Sequence, residues 1–304
     1  MSNDVKFFDS RQRYLLFVTT TNEKAIISEK LSHLIDDLKP SKPALKIFDA
    51  GVGDGAVLMN VLRICHQKFP TTPIYVSCKD VSMEDARLTI EKLADRLVEH
   101  PNMVFVISNL HYSEAGHLKS RNDEKQKRMN WNEVALEGNS SYGFYEQLRK
   151  LGPILKESWR VEENKFGNTT YENPSVMVIY RKDYEYALDQ IIPTIDSSFN
   201  EFDLVMVSQA YRSRATVEKK VNLVVKPMID LIAKNGKLAI FHSCGDDPGL
   251  EAITKLWPEE NPFPNKGEEM IQHLKQSYIK CVEDIIRDND GLWFNDELLV
   301  IERN

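Results

Sequence analysis

The fold is decided by one stretch, Ala44-Leu45-Lys46-Ile47-Phe48-Asp49-Ala50-Gly51-Val52-Gly53-Asp54-Gly55-Ala56. Its first half is a short, mainly apolar run of strand length. Its second half is a glycine turn, and the residues that follow, to His66, repeat apolar side chains at helical spacing. A strand that enters a helix through glycines lets backbone approach a ligand closely and points helix N–H groups at it. Gly51, Gly53 and Gly55, followed by Ala56, also satisfy the G-x-G-x-x-A form of the dinucleotide fingerprint.

The strand–helix alternation continues outward from this unit. Pro73 to Cys78 reads as a second strand, Ser82 to Glu99 as a helix opened by a Ser82-x-x-Asp85 cap, and Met103 to Ser108 as a third strand. Phe202–Ser208 and Gly236–His242 read as two further strands, separated by a helix from Ala215 to Ala233. Upstream, Glu23 to Leu38 carries apolar residues at helical spacing until Pro40 and Pro43. This pattern predicts an α/β fold with a doubly wound, mainly parallel sheet.

Residues 112–200 are too long for an ordinary crossover. They contain a charged stretch at Lys119 to Lys127, a strand-like Val176-Met177-Val178-Ile179-Tyr180 and a helix-like Tyr184 to Ile192. They are read as an inserted cap over the ligand edge of the sheet, against the alternative of a lobe that only thickens the fold. The expected layout is one domain, with a helical N-terminal lid (1–40), a core (44–111 and 201–304) and the insertion (112–200).

Three positions beyond the glycines narrow the ligand. Asp49 sits two residues before Gly51. Asp80 ends the second strand, where a carboxylate can accept both hydroxyls of a ribose. Ser108-Asn109-Leu110 ends the third strand, where a side-chain amide could bond an adenine edge.

With these residues the chain resembles the class I S-adenosylmethionine-dependent methyltransferases. Asp49–Gly55 resembles their first motif, Asp80 their ribose-binding acid, and Asn109 with Leu110 their adenine-facing segment, where many members have Asp. Phe202-Asp203-Leu204-Val205 with Ser208-Gln209 resembles their fourth motif. Leu231 to Ile240 resembles their L-x-x-G-G-x-L segment, with Asn235 in place of one glycine. The resemblance implies a Rossmann-like sheet of the seven-stranded type with an antiparallel last strand, S-adenosylmethionine as cofactor and S-adenosylhomocysteine as product. The layout is more distantly similar to histamine-methyltransferase-like small-molecule enzymes. There the Phe8-Asp9-Ser10 to Tyr14 segment precedes a helical N-terminus, and Leu292 to Ile301 matches a terminal strand. Tyr278 to Ile286 is either the sixth strand or the end of a helix.

On this reading Asp49, Gly51, Gly53, Gly55, Asp80, Asn109, Leu110 and Ser208 hold the cofactor. Tyr14, Gln209, Arg212, Arg214 and Asp246 meet the acceptor, and His242 and Tyr211 are the candidates for proton transfer. The expected reaction is methyl transfer to an N or O nucleophile of a small molecule. Two alternatives stay open: an NAD(P)-dependent oxidoreductase using the same turn, and a non-catalytic S-adenosylmethionine-binding module.

Composition sets the remaining bounds. Among 304 residues, 39 basic and 46 acidic side chains give a net charge of −7, which offers no basic footprint for nucleic acid. Four scattered cysteines without a C-x-x-C pair, and His111 and His117 without ligand spacing, give no reason to expect a metal or a disulfide framework. No apolar run approaches the roughly 18 residues of a membrane span and no secretory signal is visible, so a cytoplasmic protein is expected. A homodimer is left open.

Overall fold

The computed structural model describes residues 23–163, 169–208, 210–211, 215–243, 251, 254–255, 258, 264–278, 282–286 and 296–303. Chain order begins with α1 (Glu23–Asp36), β1 (Leu45–Asp49), α2 (Ala56–Lys68), β2 (Ile74–Lys79), α3 (Met83–Glu91), α4 (Leu93–Glu99) and β3 (Met103–Ser108). The insertion supplies β4 (Asn130–Leu136), α5 (Ser141–Arg149), α6 (Gly152–Ser158), β5 (Val161–Glu163), β6 (Thr169–Tyr171) and β7 (Ser175–Arg181). The chain then returns through β8 (Phe202–Ser208), β9 (Ile232–Ser243), α7 (Gly267–Tyr278), β10 (Val282–Ile286) and β11 (Asp296–Glu302).

These strands form a nine-stranded sheet in the order β10-β11-β9-β8-β1-β2-β3-β7-β4. Strands β3, β2, β1, β8 and β9 run parallel to one another, while β11 runs antiparallel between β9 and β10. The parallel strands β1 and β2 are buried along their whole length, because helices cover both faces. Two apolar clusters result. One packs Ile47, Val76 and Phe105 against α1, α2 and α4, and the other packs Phe48, Val205 and Ile240 against Val221, Val225 and α7. The winding reverses between β1 and β8, the place where open α/β sheets bind ligands.

Local chemistry explains the departures from the sequence reading. The helix expected over Ser82–Glu99 is two helices, with Lys92 between them; its predicted cap is present, Ser82 Oγ accepting the Asp85 N–H at 3.3 Å. Between Ala215 and Ala233 the helix holds a π turn at Val221–Val225, directly before Pro227, which has no N–H to donate to the preceding turn. Asn235, at the glycine-like position of the L-x-x-G-G-x-L segment, has φ 61°, a left-handed conformation that asparagine tolerates. Tyr278 to Ile286 combines both expectations, the last residue of α7 followed by β10.

The cap expectation needs correction. Rather than closing the ligand edge, β7 and β4 extend the sheet beyond β3, with β7 antiparallel to β3 and β4 parallel to β7. All of Ser175–Arg181 is buried, so this strand satisfies its hydrogen bonds and apolar side chains inside the sheet. α5 and α6 lie beside α4 and α3 on one face. Of the residues 112–200, Tyr112 alone is among the described residues lining the main cleft.

Candidate functional site: a cleft at the reversal of the sheet

A cleft of about 430 Å³ opens where β1 and β8 diverge, bounded by the glycine turn, the tip of β2 and the first turn of α1. The turn is built by backbone geometry that only glycine takes without strain. Gly53 and Gly55 have φ 53° and 77°, and a Cβ on Gly55 would lie 2.7 Å from Thr89 Oγ1. Gly51 faces Ala210, whose Cβ would sit 2.9 Å from an added Cβ. Nothing lies within 4 Å of the Cβ position of Gly53, so backbone is bare to the cleft there.

Asp80 organises the site. Its Oδ2 accepts the Gly53 N–H at 3.1 Å and its Oδ1 accepts the Ser82 N–H at 2.8 Å. Each oxygen keeps further acceptor capacity. Burial raises its pKa, partly offset by those N–H donors and by Lys79. Asp49 is 2 % exposed, and its Oδ1 accepts the Gly51 N–H at 3.1 Å. Burial pushes it up to about 7, Gly51 opposes this and the nearby Asp80 charge adds to it. Ser208 lines the cleft, and its hydroxyl is buried without a hydrogen-bond partner among the described residues.

α1 is clasped to the turn. Lys24 Nζ reaches Asp54 Oδ1 at 2.8 Å while Lys92 reaches Asp54 Oδ2 at 3.0 Å. Burial would raise the Asp54 pKa, yet the two ammonium groups outweigh it and hold the carboxyl below its usual range. Glu23 and Ile27 of α1 thereby border the cleft.

The third-strand expectation is overturned. The Asn109 amide is buried and fully engaged within the fold: Nδ2 donates to Ser158 O at 3.2 Å and Asn173 O at 3.0 Å, and Oδ1 accepts the Ser175 N–H at 2.8 Å. It fastens the insertion to β3, is 2 % exposed and is not among the described residues lining the cleft. Leu110 is likewise a core residue, fully buried in the second apolar cluster and not among the described residues lining the cleft.

The proton-transfer pair also needs revision. His242 is 1 % exposed. Its Nε2 lies 3.0 Å from Asn265 O, which can only accept, so Nε2 carries the proton and Nδ1 accepts from the Tyr211 hydroxyl at 3.0 Å. Burial, reinforced by Lys220, lowers its pKa to about 4. With both nitrogens engaged, His242 is not an open base, and neither it nor Tyr211 is among the residues lining the cleft. Tyr14, Gln209, Arg212, Arg214 and Asp246 lie outside the described residues.

Two neighbours of the site were not foreseen. Lys79, a lone cation at the end of an otherwise apolar strand, is buried in the cleft wall with Nζ 4.0 Å from the Tyr112 ring centroid. Trp159 of the insertion donates Nε1–H to the Asp80 carbonyl at 2.9 Å. The first was visible as a break in strand hydropathy; the second depends on folding of a segment 79 residues away.

The class defined by this sheet and turn is a Rossmann-like α/β fold of the seven-stranded type, extended by two strands on the β3 edge. No family model and no curated protein matches the chain. Solved structures that do match include the citrinin polyketide synthase CMeT domain, with TM-score 0.48 and 10% identity over 97% of this chain and 57% of that one. Others are magnesium protoporphyrin IX methyltransferase (ChlM) from Synechocystis PCC 6803 with bound SAH, TM-score 0.41, 12% identity, covering 100% of this chain and 90% of that one, and the mitomycin 7-O-methyltransferase MmcR, TM-score 0.44, 12% identity, 100% and 62%. The chain thus spans little over half the length of the first.

Proposed function

We propose that the protein transfers a methyl group from S-adenosylmethionine to a nitrogen or oxygen nucleophile of a small-molecule acceptor, releasing S-adenosylhomocysteine. The observation that carries this reading is the Asp80 carboxylate, oriented by Gly53 N–H and Ser82 N–H at the rim of a cleft floored by bare glycine backbone. A fixed acid there is suited to a ribose diol. The cleft volume falls in the range of small-ligand sites, about 300–1,000 Å³.

The bound cofactor would supply an electrophilic methyl on a cationic sulfur. The chain's own part is positioning and exclusion of water. Asp80 would hold the ribose, Gly51 and Gly53 would admit close backbone approach, and Ile27, Val57 and Tyr112 form apolar wall. Asp49, poised near neutrality, favours a positively charged ligand once ionised. Asp49 and Asp80, bordering one cleft, suit a cationic nucleoside better than a pyrophosphate. A cytoplasmic setting accords with Cys65 and Cys78, both buried free thiols.

Calorimetry with S-adenosylhomocysteine and with NADH tests the reading. Binding of the first and not the second is expected; the reverse result overturns it. Binding without S-adenosylhomocysteine production from S-adenosylmethionine, across a panel of small amines, phenols and carboxylic acids, would favour a non-catalytic module.

A further inference from the structure

Lys79 ends β2 and is 7 % exposed, yet no carboxylate among the described residues pairs with its ammonium within 4.0 Å. Its ammonium lies over the face of Tyr112, 4.0 Å from the ring centroid. The other cations at the turn are committed: Lys24 and Lys92 both hold Asp54. Neither nearby acid, Asp80 or Glu114, pairs with Lys79 within 4.0 Å. Asp80 accepts two backbone N–H groups, and Glu114 accepts from Ser120, Tyr171 and the His111 and Arg121 N–H groups. A buried ammonium is costly unless an anion meets it, and a cation–π contact offsets only part of that cost.

Resting on the methyltransferase reading for its choice of nucleoside probes, we propose that Lys79 is the anion-recognition residue of the cleft and binds a ligand carboxylate. That carboxylate belongs either to the amino-acid end of the cofactor or to the acceptor. Lys79 shares the cleft wall with Asp49 and Asp80, so one pocket offers acids for a positive centre and an ammonium for a negative one. A ligand assembly carrying both signs is the complement of that wall. Burial lowers the Lys79 pKa to about 8, with Asp80 and Glu114 opposing the shift, so the amine stays largely charged at neutral pH and gains from a counter-ion.

The experiment compares wild type with Lys79→Met, which keeps side-chain length and removes charge. Calorimetry uses S-adenosylhomocysteine and 5′-methylthioadenosine, the same nucleoside thioether without the amino acid. If Lys79 takes the cofactor's carboxylate, the substitution weakens S-adenosylhomocysteine at least tenfold and leaves 5′-methylthioadenosine within twofold. If it takes the acceptor's, both nucleosides are unaffected, while benzoate binds the S-adenosylhomocysteine-loaded wild type, by ligand-observed NMR, and not the variant. Unchanged affinity for both nucleosides, with benzoate binding equal or undetected in both proteins, overturns the proposal.

Should Lys79→Met fail to fold, the Lys79 side chain is titrated by NMR in wild type, its neighbours being Asp80, Glu114, His111 and Tyr112. A bound carboxylate raises its pKa by at least one unit, and no movement with either S-adenosylhomocysteine or benzoate refutes the assignment. If wild type binds neither nucleoside, the methyltransferase reading fails by itself. Benzoate binding to the free protein then still decides the role of Lys79.

Discussion

The Gly53 N–H donates to Asp80 Oδ2 at 3.1 Å, joining the glycine turn after β1 to the tip of β2 across 27 residues. The bond makes one carboxylate both a scaffold and a ligand group. Asp80→Ala would remove the turn's anchor along with any ribose contact, so its effect on affinity would mix two causes. Asp80→Asn keeps an oxygen for one backbone N–H and loses the charge. Loss of one charge-assisted hydrogen bond, about 1.5–3 kcal/mol, predicts a 10- to 100-fold weaker S-adenosylhomocysteine complex by calorimetry with near-normal thermal unfolding. Unchanged affinity would remove Asp80 from the site.

Asn109 carries the opposite prediction. Its amide serves three backbone groups that tie β3 to the insertion. Asn109→Ala leaves the Ser175 N–H buried without this partner, at about 1–3 kcal/mol, while Ser158 O and Asn173 O stay within 2.6 and 3.3 Å of the Ser175 hydroxyl. Thermal unfolding should fall by several degrees, while S-adenosylhomocysteine affinity at 10 °C stays within threefold. A large loss of affinity in a protein of unaltered stability would return Asn109 to the cofactor site.

Asp49 gives a pH dependence with a definite sign. Its folded pKa of about 7 stands above the ordinary carboxylate value of 3.8, chiefly through burial. Between those two values the unfolded chain has released the proton and the folded chain holds it, so this residue's contribution to stability falls as pH rises from about 4 to 7 and is level above that. Asp49→Asn removes the titration while keeping an acceptor for Gly51. The variant should therefore gain on wild type progressively across that window, by on the order of 4 kcal/mol at most. Chemical denaturation at pH 4.5, 6 and 8 checks it; a difference independent of pH would show that Asp49 ionises normally.

What the sequence could reveal divides along physical lines. Strand runs such as Ile47–Asp49 and Phe202–Ser208, and the turn at Gly51, Gly53 and Gly55, are local: period, length and glycine conformation are written in contiguous residues. The doubly wound, mainly parallel sheet followed from them. The insertion was harder because β4, Asn130-Trp131-Asn132-Glu133-Val134-Ala135-Leu136, is half-exposed and polar, and is stabilised by pairing with β7 rather than by its own pattern. Asn109 was misread for the same reason. Its strand-tip position was legible, but the backbone groups that take up its amide come from residues 158, 173 and 175. His242 was found as a polar residue leaving β9, whereas its closure by Tyr211 and Asn265 is a matter of tertiary geometry.

Trp159 tests whether the insertion supports the site that it does not cover. Its ring is 3 % exposed in the core beside α3, and its N–H meets the carbonyl of Asp80, the residue whose side chain faces the cleft. Trp159→Phe retains most of the apolar contact and deletes the hydrogen bond, which costs about 1 kcal/mol when a neutral pair is lost. If the bond fixes the peptide that aims Asp80, S-adenosylhomocysteine affinity should fall three- to tenfold while 5′-methylthioadenosine falls in parallel, since both ligands carry the ribose. Trp159→Ala should add a cavity penalty of about 3–5 kcal/mol to stability. Affinity for both nucleosides unchanged in a folded Trp159→Phe would confine the insertion to closing the β3 edge, with no part in orienting the ribose-facing acid.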